Sequence, residues 1–169
     1  RDRLKKGKAQ YMAEVKTNAM RILEKNKIPY KMYTYENDGN IDGVSVAKKL
    51  GQDVEAVYKT LVTVGKSGGY YVFVIPVEKE LSLKKAAKAA GEKSVEMIHV
   101  KDINKVTGYI RGGCSPVGMK KLYPTFISDT ASERETIIVS GGKIGFQVEL
   151  SPKDLIGAVK AKFADIIMD

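Results

Sequence analysis

Two runs of β-branched and aromatic residues in the middle of the sequence constrain the fold most strongly. They are residues 59–64 and 70–76, and the short segment Gly65-Lys66-Ser67-Gly68-Gly69 separates them. Runs of this composition joined by a glycine-rich connection are typical of a β-hairpin. The sequence therefore predicts an antiparallel strand pair at its centre, around which the remaining elements must pack.

The sequence on either side mixes helical and strand patterns without the regular repeat of a doubly wound sheet. Glycines at 51 and 91 and the capping box Ser151-Pro152-Lys153-Asp154 mark helix ends. Mixed elements of this kind favour an α+β fold in a single compact domain. Helices are predicted at residues 15–27, 44–50, 53–57 and 83–90 and from residues 102 and 152 onward, and strands at 30–35, 95–98, 109–110, 124–128, 136–140 and 146–150.

Length, hydropathy and cysteine content indicate a cytoplasmic protein. A chain of 169 residues matches one domain, and it contains no apolar stretch long enough to cross a membrane. Cys114 is the single cysteine, which argues against a disulfide-rich secreted domain. With His99 as the single histidine, no common zinc site can be assembled. We therefore expect no metal and no cofactor.

The charge balance favours a polyanionic partner. The net charge of +9 suits phosphate contacts with a nucleic acid such as tRNA. Several of the positive charges lie in residues 1–14, which we interpret as a basic N-terminal extension or a cloning remnant. Residues 15–169 then form the functional domain.

Ordinary hydrolytic machinery is difficult to build from this sequence. A nucleophile–histidine arrangement would have to take its base from His99, which sits in a strand-like run and is interpreted as a structural or surface residue. Cys114 is interpreted as a packing residue. The sequence also lacks a phosphate-binding P-loop and a dinucleotide fingerprint.

Three short segments could nevertheless contact a ligand. The segments at 112–118 and 140–145 are rich in glycine, which permits a close approach of the backbone to a ligand. The third, residues 57–62, places Lys59 at the start of an apolar strand, where an ammonium can bind a carbonyl or a phosphate. Taken alone, each segment could equally be a tight turn, a hairpin turn or a solvated strand end.

Together, these segments resemble the signature of the YbaK/EbsC family, which is related to the editing domain inserted in bacterial prolyl-tRNA synthetases. The similarity extends from about residue 19 to the last residues of the chain. Further matching blocks are LEKNKI (23–28), YTYE (33–36), KKLG (48–51), VYKTL (57–61), LKKAAK (83–88), TGY (107–109) and AKFADI (161–166).

The resemblance implies a mixed β-barrel flanked by helices and an enzyme that removes an amino acid from the 3′ end of tRNA. It assigns the essential catalytic role to Lys59. It also implies a substrate pocket formed by Tyr35, Tyr109, Gly112, Gly113, Ser115, Ser140 and Gln147. Related sequences commonly have aspartate in the strand that here carries Gln147, which can form hydrogen bonds but has no charge.

The activity implied by the resemblance is deacylation of Cys-tRNA(Pro), with Cys-tRNA(Cys) as a further substrate. Because a cysteinyl ester carries its own thiol, we expect the substrate to attack itself while the protein shapes and charges the pocket. Proline tRNA would be selected through prolyl-tRNA synthetase. Two alternatives remain open, namely a deacylase of another misacylated tRNA such as Ala-tRNA(Pro), and a noncatalytic tRNA-binding or regulatory module.

Overall fold

The computed structural model describes residues 16–169. The basic extension predicted at residues 1–14, and the start of the first predicted helix, lie outside this range. The α-helices are α1 (Asn18–Lys25), α2 (Gly43–Leu50), α3 (Leu83–Ala90), α4 (Ile103–Thr107) and α5 (Pro152–Val159), with 3₁₀ turns at Val54–Ala56, Val100–Asp102 and Asp129–Ala131. The strands are β1 (Lys31–Thr34), β2 (Tyr58–Gly65), β3 (Tyr70–Pro76), β4 (Val95–Met97), β5 (Thr125–Ser128), β6 (Ile137–Ser140), β7 (Phe146–Leu150) and β8 (Lys162–Ala164).

The strands form two sheets. Five strands pair in the order β4-β2-β3-β5-β8, and three pair in the order β1-β7-β6. The predicted hairpin is confirmed as β2 and β3, which pair antiparallel from Tyr58 opposite Pro76 to Val64 opposite Tyr70. A parallel bridge between Val57 and Ile138 connects the two sheets. This pairing confirms the α+β class, while closure into a barrel stays a prediction.

Strand β3 lies at the centre of the core because both of its faces are buried. Val74 packs in a cluster with Met20, Leu23 and Leu155 of the helices α1 and α5. Its neighbour Phe73 points to the opposite face and packs on the side of α3. Successive strand residues alternate between faces, so one apolar run can serve both layers. The described helices pack against these layers, and none of them is both long and apolar enough to cross a membrane.

Local capping signals correctly predicted most helix ends. The hydroxyls of Ser82 and Ser151 accept hydrogen bonds from the first turns of α3 and α5, and Gly51 and Gly91 adopt the left-handed conformation after α2 and α3. The strand predicted at residues 109–110 is wrong. This segment follows the left-handed Gly108 and turns at Gly112, which has a φ of +86°, and it pairs with no strand among the described residues.

The C-terminal strand β8 was not predicted from the sequence. It pairs parallel with β5, which in turn pairs parallel with β3. Its three residues are too few to show a period-two pattern, and the pairing depends on contacts distant in sequence. The five-stranded sheet is therefore mixed, with antiparallel pairs at one side and parallel pairs at the other.

Candidate functional site

A cleft of about 260 Å³ lies where residues of the two sheets meet. Strand β2 contributes Lys59 and Thr60, and strands β6 and β7 contribute Ser140 and Gln147. The start of α2 closes another side. The other lining residues are Tyr35, Ile41, Asp42, Gly43, Val46, Val57, Tyr58, Val77, Gly112, Cys114 and Phe146.

Five of the predicted site residues are brought together in this cleft. Lys59, Tyr35, Gly112, Ser140 and Gln147 all line it, although they come from distant parts of the sequence. Their convergence follows from the pairing of β1 with β7 and of β6 with β7, together with the bridge from residue 57 to residue 138. The three segments selected in the sequence thus meet at one place.

Lys59 provides the positive charge of the cleft. It is the one lysine or arginine among the lining residues, and its side chain is 30% exposed. Its ammonium lies 4.0 Å from Oε1 of Glu80, a side chain that is 78% exposed. A pair this long with so accessible a carboxylate contributes little stability. The ammonium of Lys59 is therefore available to a ligand.

Asp42 is a carboxylate of the cleft wall that the sequence analysis did not select. It is the N-cap of α2, where Oδ2 accepts a hydrogen bond from the Ser45 N–H at 3.0 Å. Hydrogen bonds from the Ser45 side chain and backbone lower the pKa of Asp42, so the group is charged at neutral pH. Its position directly before an apolar helical pattern is the sequence signal that marks it as a cap.

Cys114 lines the cleft but is poorly suited to act as a nucleophile. Burial raises the pKa of its thiol to about 11, which leaves the thiol protonated near neutral pH.

His99 is exposed and does not line the cleft. In residues 16–169, no three His, Cys, Asp or Glu side chains are grouped so that they could hold a metal ion.

Gln147 is fixed within the cleft wall by a second glutamine. It is only 6% exposed, and its Oε1 accepts a hydrogen bond from Nε2 of Gln52 at 2.9 Å. The Oε1 atom of Gln52 is buried and has no partner among the described residues, and the same holds for the hydroxyl of Thr60. Of these two unpartnered groups, the hydroxyl of Thr60 belongs to a residue that lines the cleft next to Lys59.

Ser140 and Gly112 present their polar groups differently. The hydroxyl of Ser140 accepts a hydrogen bond from the Gly142 N–H at 3.2 Å, which stabilises the turn after β6. Gly112 is exposed, and in the described part of the chain its N–H donates to no main-chain carbonyl. A side chain at residue 112 would come within 2.9 Å of Ile41. Glycine therefore keeps this part of the cleft open.

Three predicted site residues do not line the cleft. The N–H of Gly113 donates to the carbonyl of Ile110 at 3.0 Å, so it is not available to a ligand. A Cβ at that position would lie 2.9 Å from the backbone nitrogen of Ile144, which shows that Gly113 serves the packing of the two glycine turns. Ser115 is fully buried, and its hydroxyl accepts from the Val117 N–H at 3.2 Å.

Tyr109 is the third residue outside the lining. Its hydroxyl donates to the carbonyl of Val117 and lies against Gly118, and its ring lies against Gly142. Burial, followed by the proximity of Cys114, raises the pKa of Tyr109 to about 12. These contacts connect the turn at residues 112–118 to the turn after β6, which places Tyr109 behind the cleft.

Comparisons with known proteins identify the family of this chain. Residues 42–158 match the family model described as the aminoacyl-tRNA editing domain. A protein of Enterococcus faecalis (strain ATCC 700802 / V583), named "Putative Cys-tRNA(Pro)/Cys-tRNA(Cys) deacylase EbsC", is 48% identical over 94% of this chain and 97% of its own length.

Solved structures share the fold at lower sequence identity. A crystal structure described as "a putative trans-editing enzyme for prolyl tRNA synthetase" superposes with a TM-score of 0.76 at 22% identity, covering 92% of this chain and all of the other. The structure of "hypothetical protein APE2540" gives a TM-score of 0.79 at 24% identity, covering 86% of this chain and 96% of the other. The family model and the Enterococcus relative confirm the resemblance inferred from the sequence motifs: this chain belongs to the aminoacyl-tRNA editing domain family, in its YbaK/EbsC branch.

Proposed function

We propose that this chain is a trans-editing deacylase that removes cysteine from Cys-tRNA(Pro), and also from Cys-tRNA(Cys), using the thiol of the substrate as the nucleophile. Family membership supports the deacylase activity, and the Enterococcus relative supports cysteine as the amino acid. The observation that supports the mechanism is the chemistry of the side chains around the cleft.

No shifted group of the cleft has the pKa of an efficient general base. The pKa of Asp42 is lowered by Ser45, and the pKa of Cys114 is raised to about 11 by burial. The pKa of the neighbouring Tyr58 is also raised by burial. A general base works best with a pKa near the working pH, which none of these three groups has. A cysteinyl ester needs no such base from the protein, because its own thiol has an ordinary pKa of about 8.5.

The proposed reaction is an intramolecular acyl transfer. The cysteine sulfur attacks the ester carbonyl carbon, the bond from that carbon to the ribose oxygen breaks, and a cyclic thiolactone forms. The ribose oxygen receives the proton that the thiol has lost, so atoms and charge balance. The main task of the protein is to fold the aminoacyl group into the attack geometry, which can lower a barrier by several kcal/mol, roughly 7–11 in the best model systems.

The roles in the cleft follow from charge and position. We assign Lys59 to binding the phosphate of the aminoacylated terminal adenosine, and the N–H of Gly112, which donates to no main-chain carbonyl of the described residues, to the developing oxyanion. Tyr35, Ser140 and Gln147 shape the pocket around the side chain. The size of the cleft suits an aminoacyl group rather than a whole nucleotide, since about 260 Å³ lies just below the usual range of small-molecule sites.

The selection of tRNA requires a further component. The described residues form a single domain around the cleft, and we propose that prolyl-tRNA synthetase, in a transient complex in the cytoplasm, supplies the recognition of proline tRNA. The basic composition would add nonspecific affinity for tRNA.

We also propose that the two sheets are the walls of one mixed barrel whose mouth is the cleft.

A panel of substrates tests the function. Cys-tRNA(Pro), Cys-tRNA(Cys), Ala-tRNA(Pro) and Ser-tRNA(Pro) are incubated with the protein, and ester hydrolysis is followed with Lys59→Ala as the control. The proposal predicts rapid loss of both cysteinyl esters and slow loss of the others. Preferential cleavage of Ala-tRNA(Pro) would replace the proposal with a water-positioning mechanism. Salt-sensitive tRNA binding without cleavage would identify a noncatalytic module.

A further inference from the structure

The carboxylate of Asp42 has no role in the reaction proposed above. It lines the cleft together with Lys59, so the wall carries one negative and one positive side chain. It makes no ion pair with a lysine or arginine in residues 16–169. Asp42 is also exposed, so its carboxylate is accessible to a cationic group of a ligand in the cleft.

The position of Asp42 is fixed from both sides. Its Oδ2 caps α2 through the Ser45 N–H, and the following residue, Gly43, packs directly on Val77. A Cβ on Gly43 would come within 2.3 Å of Val77 Cγ1, so the helix start is pressed against the segment after β3. The carboxylate is therefore held at one place on the wall rather than carried on a free loop.

We propose that Asp42 binds the α-ammonium group of the aminoacyl ester, and so selects esters of α-amino acids with a free amine. The inference rests on the proposed function, because the ligand is taken to be an aminoacyl-tRNA. The ammonium is the cationic group that every such ester carries beside its carbonyl carbon. A charge-assisted hydrogen bond to Asp42 on one side, with Lys59 directed to the adenosine on the other, orients the ester between the two.

The capping role of Asp42 allows a clean substitution. Asparagine is as good an N-cap as aspartate, so Asp42→Asn removes the charge while keeping the acceptor for Ser45. Asp53→Asn is the matched control, because Asp53 also caps a turn, through the Glu55 N–H at 3.0 Å, but does not line the cleft. Thermal unfolding of the two variants checks that the caps are retained.

The test compares two esters of proline tRNA in single-turnover deacylation. One carries cysteine, and the other carries 3-mercaptopropionate, which has the same thiol but no ammonium. The difference in intrinsic reactivity cancels when each variant is compared with the wild type on the same ester. Asp42→Asn is expected to slow release of cysteine about tenfold and to leave release of 3-mercaptopropionate unchanged. Asp53→Asn is expected to change neither rate.

The outcomes separate the inference from the function on which it rests. If Asp42→Asn slows both esters equally, or slows neither, Asp42 does not bind the ammonium and the inference is overturned while the deacylase activity stands. If the wild-type protein releases no cysteine at all, the proposed function fails, and the inference fails with it.

Discussion

The side-chain amide of Gln52 donates from Nε2 to Oε1 of Gln147 at 2.9 Å, which fixes an uncharged pair at the cleft wall. Gln147 is 6% exposed. A carboxylate at this depth would lose most of its hydration and would oppose the formation of a thiolate nearby. The neutral pair therefore places no charge at this part of the cleft wall.

Gln147→Asp should make the activity fall at high pH, where the wild type remains active. Burial is expected to raise the pKa of the new carboxyl above its ordinary value, so the folded state binds its proton more tightly than the unfolded state. Stability is then lost as the pH rises through that pKa, by roughly 1–3 kcal/mol. The pH–rate profile and urea unfolding at several pH values measure the two effects. Gln147→Asn, of the same size but uncharged, is the control, and equal profiles for the two variants would contradict the account.

The cleft was predictable from the sequence in part only. Lys59, Tyr35, Gly112 and Ser140 were found because their short motifs resemble those of a family. Asp42, which lines the cleft, and Gln52, which holds Gln147 from behind, were missed, since a capping residue and a residue after a helix carry no local sign of such a position. Their placement depends on the contact of Gly43 with Val77 and on the hydrogen bond between Gln52 and Gln147, which join segments that are distant in sequence.

The fold shows the same division between local and distant information. The hairpin β2–β3 and the helix caps at Ser82 and Ser151 are encoded within a few residues, and they were predicted correctly. The segment at residues 109–110 contains Tyr109 and Ile110, whose bulk favours a strand, but two left-handed glycines force it into a turn. The parallel pairing of β8 joins residues that are about 36 positions apart, as in Phe126 opposite Lys162.

Lys59→Ala should lower kcat/KM for Cys-tRNA(Pro) by roughly a hundredfold or more, because the cleft loses the cation that binds the substrate. The free energy of unfolding should change by less than about 1 kcal/mol, since the ion pair with Glu80 is long and exposed. Steady-state kinetics and urea unfolding measure the two quantities. Glu80→Gln removes the carboxylate that pairs with Lys59, and it should leave kcat/KM and the free energy of unfolding unchanged. Full activity of Lys59→Ala would exclude the role assigned to the ammonium.

Cys114→Ala should retain the activity of the wild type to within about twofold. Burial raises the pKa of the Cys114 thiol to about 11, so at neutral pH too little thiolate exists for it to act as the nucleophile. Deacylation assays at pH 7 test this, and alkylation of the wild-type thiol should be slow at the same pH. A loss of activity in Cys114→Ala that Cys114→Ser does not restore, in a variant with normal stability, would point to covalent catalysis instead.

Tyr109→Phe should destabilise the fold by about 1 kcal/mol at pH 7, because the hydrogen bond to the Val117 carbonyl is lost. The pKa of Tyr109 is raised to about 12 by burial, so above a pH of about 10 the unfolded state releases a proton that the folded state retains. The wild type should therefore lose stability between these pH values more steeply than Tyr109→Phe. Measuring the free energy of unfolding of both proteins as a function of pH tests this difference. Parallel curves would refute the structural role of the buried Tyr109 hydroxyl.

The central claim is that the substrate brings its own nucleophile while the protein supplies a charged and shaped cleft. Release of cysteine and of S-methylcysteine from the same proline tRNA, measured side by side with the wild-type protein, tests this claim most directly. The account predicts rapid release of cysteine and release of S-methylcysteine no faster than in the absence of protein. Equal rates for the two esters would contradict it, because a blocked sulfur cannot attack the carbonyl.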